Sequence, residues 1–214
     1  WIATKGHGSA WGFGQGRGAD TAAWVGAAQS EVAAAGGGHS FGAFGDCEKC
    51  YDHVSLHRLR CEGIAHGLAP LVGLATAQYA GARRIRWAGA IGRAVTPQYG
   101  IPAGCPLANG LLHLYLHTAM SNTQNDAKPA SLRTYVDDWR LFAAGRRAQA
   151  AKAIVAAFRE ASVQLRQTGM VVSNTKSVLL ASGTDARRTL KTEAGALSSM
   201  VALTVKDLGV DTAL

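Results

Sequence analysis

Two short apolar runs, Leu132-Arg133-Thr134-Tyr135-Val136 and Trp139-Arg140-Leu141-Phe142-Ala143, are separated only by Asp137-Asp138. Both have strand-like composition, and a two-residue gap between strands is the spacing of a tight hairpin. This predicts an antiparallel ladder with two adjacent carboxylates at its tip. A lone Asp-Asp there reads as an ordinary turn, because aspartate tolerates turn geometry well. Its surroundings decide whether it does more. The rest of the chain mixes helices and strands without regular strand–helix–strand winding, so the expected class is α+β. With 48% hydrophobic residues over 214 positions the chain can build a real core, which excludes wholesale disorder.

Asp20 can cap a helix from Thr21 to about Ala35, which Gly36-Gly37-Gly38 stops. Ser40 to Gly45 reads as a short buried strand ending at Asp46. A helix is expected to start near Asp52 and to carry Val54, Leu56 and Leu59. Residues 70–80 read as helical and Arg83 to Ala94 as paired strands around Gly89. After a turn bracketed by Pro102 and Pro106, Leu107 to Met120 has the apolar density of a buried helix. Ser121 to Ala130 is polar and reads as a loop. Ile154, Phe158, Ala161 and Leu165 mark one face of a helix ending near Gly169. Met170 to Ser173 and Ser177 to Ala181 make a further hairpin around Asn174-Thr175-Lys176. The alternating glycines of Gly12 to Gly18 have neither dinucleotide-binding nor P-loop spacing and read as a surface loop.

Charge narrows the partners. Lys and Arg number 22 against 14 Asp and Glu, a net charge of +8, which points to a polyanion, and nucleic acid is the commonest one. No apolar run approaches the ~20 residues needed to span a bilayer, so no membrane partner is expected. Trp1-Ile2-Ala3-Thr4-Lys5 does not open a signal peptide, and the missing initial Met suggests a fragment. Four cysteines are too few for a disulfide scaffold, which favours a reducing, intracellular compartment.

Asp46 and the Asp137-Asp138 pair lie far apart in the chain, yet each falls at the rim of an expected strand. If those strands are neighbours, three carboxylates converge at one sheet edge. Clustered like charges are costly unless a cation neutralises them. Hard divalent ions such as Mg²⁺ take oxygen ligands of this kind, and a pair of them forms the clamp used for in-line phosphoryl displacement.

The flanking residues carry a family resemblance. Tyr135-Val136-Asp137-Asp138 resembles the Tyr-x-Asp-Asp box of reverse transcriptases. Asp46-Cys47-Glu48-Lys49-Cys50-Tyr51-Asp52-His53-Val54 resembles their first carboxylate motif. Gly100-Ile101-Pro102-Ala103-Gly104-Cys105-Pro106-Leu107 is similar to their Gly-x-Pro-Gln-Gly-x-Pro-Leu turn. Gly169 to Lys176 is similar to the Gly-Leu-x-x-Asn-x-x-Lys segment, and Val205 to Val210 to the primer-grip strand. All five fall in the family's order, over about residues 12 to 210. The spelling after Asp46 is closer to non-long-terminal-repeat retroelements and group II intron proteins than to retroviruses.

The resemblance implies an α+β polymerase palm, an antiparallel sheet with helices packed on one face, with partial fingers and no thumb. Residues 1–38 would be partial fingers, 39–62 the palm's first carboxylate motif, 63–99 the fingers–palm connection and 100–214 the palm through the primer-grip-like strand. It implies RNA-directed DNA polymerisation: a primer 3′-OH on an RNA or DNA template attacks a deoxynucleoside triphosphate and releases pyrophosphate. Asp46, Asp137 and Asp138 would hold two Mg²⁺ ions, with Mn²⁺ as a substitute. Tyr51 falls where the family has an aromatic steric gate against the ribose 2′-OH; the other reading is a core aromatic. Lys176 matches a lysine that gives a proton to pyrophosphate, or is an ordinary exposed lysine. Ala103 and Gly104 would lie against the incoming nucleotide. Arg84, Arg86 and Arg93 would contact template phosphates, or form a solvated basic face, and Leu208 and Gly209 would lie at the primer. Ala103 departs from the family's glutamine, and Ala108-Asn109 stands where Ser-Pro is usual. The localisation implied is nuclear for a eukaryotic retroelement. The oligomeric state is not legible.

Two rivals stand beside this reading. Cys47, Cys50, His53, His57 and Cys61 have spacings that could bind zinc, which would make a nucleic-acid-binding module. A catalytically impaired retroelement remnant would keep the fold without the activity. His113 and His117 lack the glutamate of a metalloprotease motif and read as core or boundary histidines. Trp24, Trp87 and Trp139 could stack on bases, though packing is the default.

Overall fold

The computed structural model describes residues 10–11, 18–102, 104–207 and 210–212. In chain order the elements are β1 (Ala10–Trp11), α1 (Ala19–Ala35), β2 (His39–Gly45), a 3-10 turn (Cys50–His53), α2 (Leu56–Ala65) and α3 (Ala69–Tyr79). There follow β3 (Arg86–Trp87), β4 (Ala90–Ile91), α4 (Ala108–Asp126), β5 (Ser131–Tyr135), β6 (Asp138–Gly145) and α5 (Arg147–Gln167). Last come β7 (Val178–Ala181), α6 (Gly183–Ala194), a 3-10 turn (Gly195–Met200), β8 (Val205–Asp207) and β9 (Val210–Thr212). The chain divides into two compact units, one of residues 1–48 with 117–214 and the other of residues 49–116.

The first unit is built on a five-stranded sheet of order β1-β5-β6-β2-β7, antiparallel except for the short β1 beside β5. Alternation along β2 and β6 divides its faces. Phe41 and Ala43 on β2, with Trp139, Leu141 and Ala143 on β6, are buried against α5. There Trp139 stacks on Phe158 with ring centroids 5.3 Å apart. The apolar stripe of α5, including Ile154, Phe158, Ala161 and Leu165, runs as its spacing predicts. Each large side chain removed from water there contributes about 1.5–3 kcal/mol. Gly45 faces Trp139 with no room to spare: a Cβ on it would lie 2.1 Å from the indole ring. Trp139 is thus a core residue. On the opposite face, α1 lies beside Phe142 and Ala144 through Val25, Ala28 and Val32.

The second unit packs α2 against α3. The helix expected near Asp52 begins only at Leu56, because Ser55 adopts an extended conformation and its hydroxyl caps the Arg58 N–H at 3.3 Å. Residues 50–53 form the separate 3-10 turn. The strands around Gly89 pair as expected, Arg86 with Ile91 and Trp87 with Ala90.

Two expectations fail locally. Helix α4 runs to Asp126, through residues expected to form a loop, because its polar side chains find partners. Thr123 Oγ1 donates to the Ala119 carbonyl at 2.9 Å, and Gln124 Oε1 accepts from the Leu132 N–H at 3.0 Å. Residues 170–173 do not form a hairpin with 177–181. Instead Val172 bridges Cys47 while β7 pairs with β2, so both stretches run along the same neighbour.

Candidate active site

The expected turn at Asp137-Asp138 sits one residue earlier. Tyr135 pairs with Asp138, so Val136 and Asp137 make the turn and Asp138 opens β6. Val136 takes a left-handed φ of 58°, a costly conformation for a β-branched residue that the ladder on either side imposes. Moving the turn by one residue shifts every cross-strand partner by two, so the faces are kept while the pairs change, and Arg133 meets Arg140 instead of Phe142.

The corrected register fixes the carboxylates. β2 pairs with β6 through Gly45 and Trp139, so one step further Asp46 lies opposite Asp138. Residues opposed in this way share a face. The row is Asp46, Asp138 and Tyr135, on strands β2, β6 and β5; Asp137 stands in the turn beside it. Asp138 is exposed, and Asp46 and Asp137 are half-buried.

Asp46 is clasped by the segment that bridges and pairs with β2. Its carbonyl accepts from the Ser173 N–H at 2.9 Å, and its N–H donates to Ser177 Oγ at 3.4 Å. Between these two contacts, residues 174–176 leave the ladder as a turn. The excursion carries Lys176 to Asp46, with Nζ 3.4 Å from Oδ2. That oxygen is shielded from solvent and accepts no hydrogen bond. Ser177 had no sequence signal of its own.

The next row of the same face is cationic. Arg140 lies directly opposite Arg133 and, on its other side, opposite Phe44, with its guanidinium 6.0 Å from the Phe44 ring centroid. Burial first, and then the Arg140 charge, draw the Arg133 pKa below its ordinary value. The slipped register hid this pair from sequence reasoning.

In the second unit, Tyr51 is half-buried and its hydroxyl donates to Asn109 Oδ1 at 2.5 Å. The backbone around Tyr51 also holds the start of the proline-bracketed turn. Gly100 N–H donates to the Val54 carbonyl at 2.9 Å and Ile101 N–H to the Tyr51 carbonyl at 3.0 Å. Gly104 has φ of 81°, which suits glycine. Cys105 Sγ lies 2.7 Å from the Tyr79 hydroxyl. Asn109 was legible only as a departure from the family spelling. Arg84, Arg86 and Arg93 are exposed on the β3–β4 hairpin. Ala103, Leu208 and Gly209 lie outside the described residues.

Among the described residues, no three or more His, Cys, Asp and Glu side chains gather closely enough to hold a metal ion. Cys47 and Cys50 are buried, Cys61 is exposed, and none of the three is in a disulfide. At the sheet edge, Lys176 is what meets Asp46. The donor chemistry there still fits a hard divalent cation: carboxylates at opposed positions of adjacent strands, one oxygen withdrawn from solvent, and a third carboxylate in the adjoining turn. Among the described residues, no helix is long and apolar enough to cross a membrane.

The fold is a mixed α+β sheet with helices on both faces and with Asp46 opposite Asp138 at its rim, and comparison with known proteins gives it a family. Residues 4–211 match the family model described as reverse transcriptase (RNA-dependent DNA polymerase). The chain belongs to the reverse transcriptase family. No curated protein matches it in sequence. Among solved structures, it is similar to telomerase from Candida tropicalis in complex with a TWJ fragment of telomeric RNA: TM-score 0.63, 12% identity, 85% of this chain and 31% of that one. It is also similar to apo telomerase from Candida tropicalis truncated from its C-terminal domain: TM-score 0.61, 12% identity, 99% of this chain and 41% of that one. The chain thus spans well under half the length of either. At this identity the likeness shows the fold, an α+β sheet with helices of the polymerase-palm kind.

Proposed function

We propose that this chain is the palm, with part of the fingers, of an RNA-directed DNA polymerase of the non-long-terminal-repeat or group II intron kind. The observation that carries the reading is the register that sets Asp46 opposite Asp138 on neighbouring strands. Asp46, Asp138 and Asp137 would hold divalent cations, Mg²⁺ by preference. Such ions lower the pKa of an attacking hydroxyl and offset the charge of a leaving pyrophosphate.

The protein's own groups supply the rest. The bond formed joins the primer 3′ oxygen to the α-phosphorus of a deoxynucleoside triphosphate; the bond broken releases pyrophosphate. Lys176 would give the pyrophosphate its proton from Nζ, and its 67% side-chain exposure leaves it free to swing from Asp46 to a bound substrate. Tyr51, its hydroxyl anchored by Asn109, would hold its ring rigidly as the gate against a 2′-OH. Gly104 and Ala103 would back the incoming nucleotide. The arginines of the β3–β4 hairpin would contact template phosphates, and Leu208 and Gly209 the primer. The net charge of +8 suits such a partner.

The test is Mg²⁺-dependent primer extension on an RNA template by a protein containing this chain together with fingers and thumb. Asp137→Asn with Asp138→Asn is expected to abolish incorporation. Unchanged incorporation would overturn the assignment.

A further inference from the structure

The β3–β4 hairpin is exposed on both faces. Every residue from Gly81 to Thr96 is exposed to solvent. A two-stranded ribbon with no covered face is marginal alone in water, so its apolar residues gain most from a partner.

The register separates two chemistries. Ala88 and Gly89 form the two-residue turn, both with positive φ, at 45° and 84°. Trp87 pairs with Ala90, Arg86 with Ile91, and the Gly92 N–H donates to the Ile85 carbonyl at 2.8 Å. Alternation then puts Arg84 and Arg86 on one face, beside Ile91. Arg93 joins them opposite Arg84, where the ladder gains a residue before Arg83 bridges Val95. Ile85 and Trp87 occupy the other face, 78% and 80% exposed. Arg83 is used internally, since its guanidinium donates to the Tyr79 carbonyl at 3.0 Å.

No acidic residue occurs between Glu62 and Asp126, so nothing in this stretch of sequence neutralises the arginines. A cationic face behind an exposed indole fits a polyanion that also offers unstacked aromatic faces. A duplex buries those faces in its own stack; a single strand presents them.

We infer that the β3–β4 hairpin is a single-strand nucleic-acid platform, with Trp87 stacking on an unpaired base and Arg84, Arg86 and Arg93 holding the adjoining phosphates. This rests on the polymerase reading for its biological setting and adds the strandedness of the ligand and the residue that senses it.

The experiment measures binding of the full chain to a short unstructured single-stranded RNA and to the duplex formed with its complement, across a salt series. Trp87→Ala is expected to weaken single-strand binding about tenfold or more and to leave duplex binding unchanged. Trp87→Phe, which keeps a ring, should recover most of the loss. Arg84→Gln, Arg86→Gln and Arg93→Gln should each lower the salt slope by about 0.7. No single-strand binding by the full chain, an unaffected Trp87→Ala, or equal losses on single strand and duplex would overturn the proposal. None of these outcomes touches the carboxylate test above, so the platform and the polymerase reading fail separately.

Discussion

The Lys176 ammonium reaches the Asp46 carboxylate, 3.4 Å away, because residues 174–176 leave the ladder that would otherwise run unbroken along β2. The backbone of Asp46 is fixed at both ends of that excursion, by Ser173 and Ser177. The contact therefore follows from the strand pairing. An ion pair this exposed adds little stability, about 0–1 kcal/mol.

Lys176→Ala is accordingly expected to shift denaturant-measured stability by less than about 1 kcal/mol. In primer extension by the protein with fingers and thumb, it should slow incorporation by about a hundredfold or more. Full activity in the variant would reduce Lys176 to a surface lysine.

Gly45 and Trp139 make the sharpest packing constraint in the sheet. Because a Cβ would fall 2.1 Å from the indole, Gly45→Ala must displace Trp139 from its stack on Phe158 or shift the strand. Overpacking of this kind costs about 1–3 kcal/mol. A smaller partner should relieve it: Trp139→Leu combined with Gly45→Ala should be less destabilised than the sum of the single changes. Additive losses in chemical denaturation would show that the two residues are not coupled.

Tyr79 gives the fold a pH dependence on the alkaline side. Burial first, then the hydrogen bond to Cys105, raise its pKa above the ordinary tyrosine value. The folded chain therefore keeps a proton that the unfolded chain gives up at about pH 10. The stabilisation is complete below that pH and declines as pH rises toward the folded pKa. Tyr79→Phe should flatten the fall in stability above about pH 10 while costing roughly 1 kcal/mol at neutral pH for the lost hydrogen bond. An identical alkaline slope in the variant would refute this assignment.

What was legible in the sequence was local. The helix carrying Ile154, Phe158 and Leu165, the strand ending at Asp46 and the hairpin at Gly89 are each dictated by periodicity or turn chemistry within a few residues. The Asp-Asp doublet, the lysine after the turn and the glycine of the proline-bracketed loop announced themselves by residue type and order. The polar end of α4 was not legible as helix because Gln124's partner, the Leu132 N–H, lies beyond the helix in sequence.

The amino-acid order by itself determined the family, because acidic, basic and glycine positions at fixed spacings survive without knowledge of pairing. Only the tertiary structure decided that Asp138 and not Asp137 faces Asp46, that Arg133 opposes Arg140, and that Asn109 holds Tyr51. Those facts depend on register and long-range contact. Strand register is set by how both faces of a sheet pack, and moving a turn by one residue leaves composition unchanged while giving each side chain a partner two positions away.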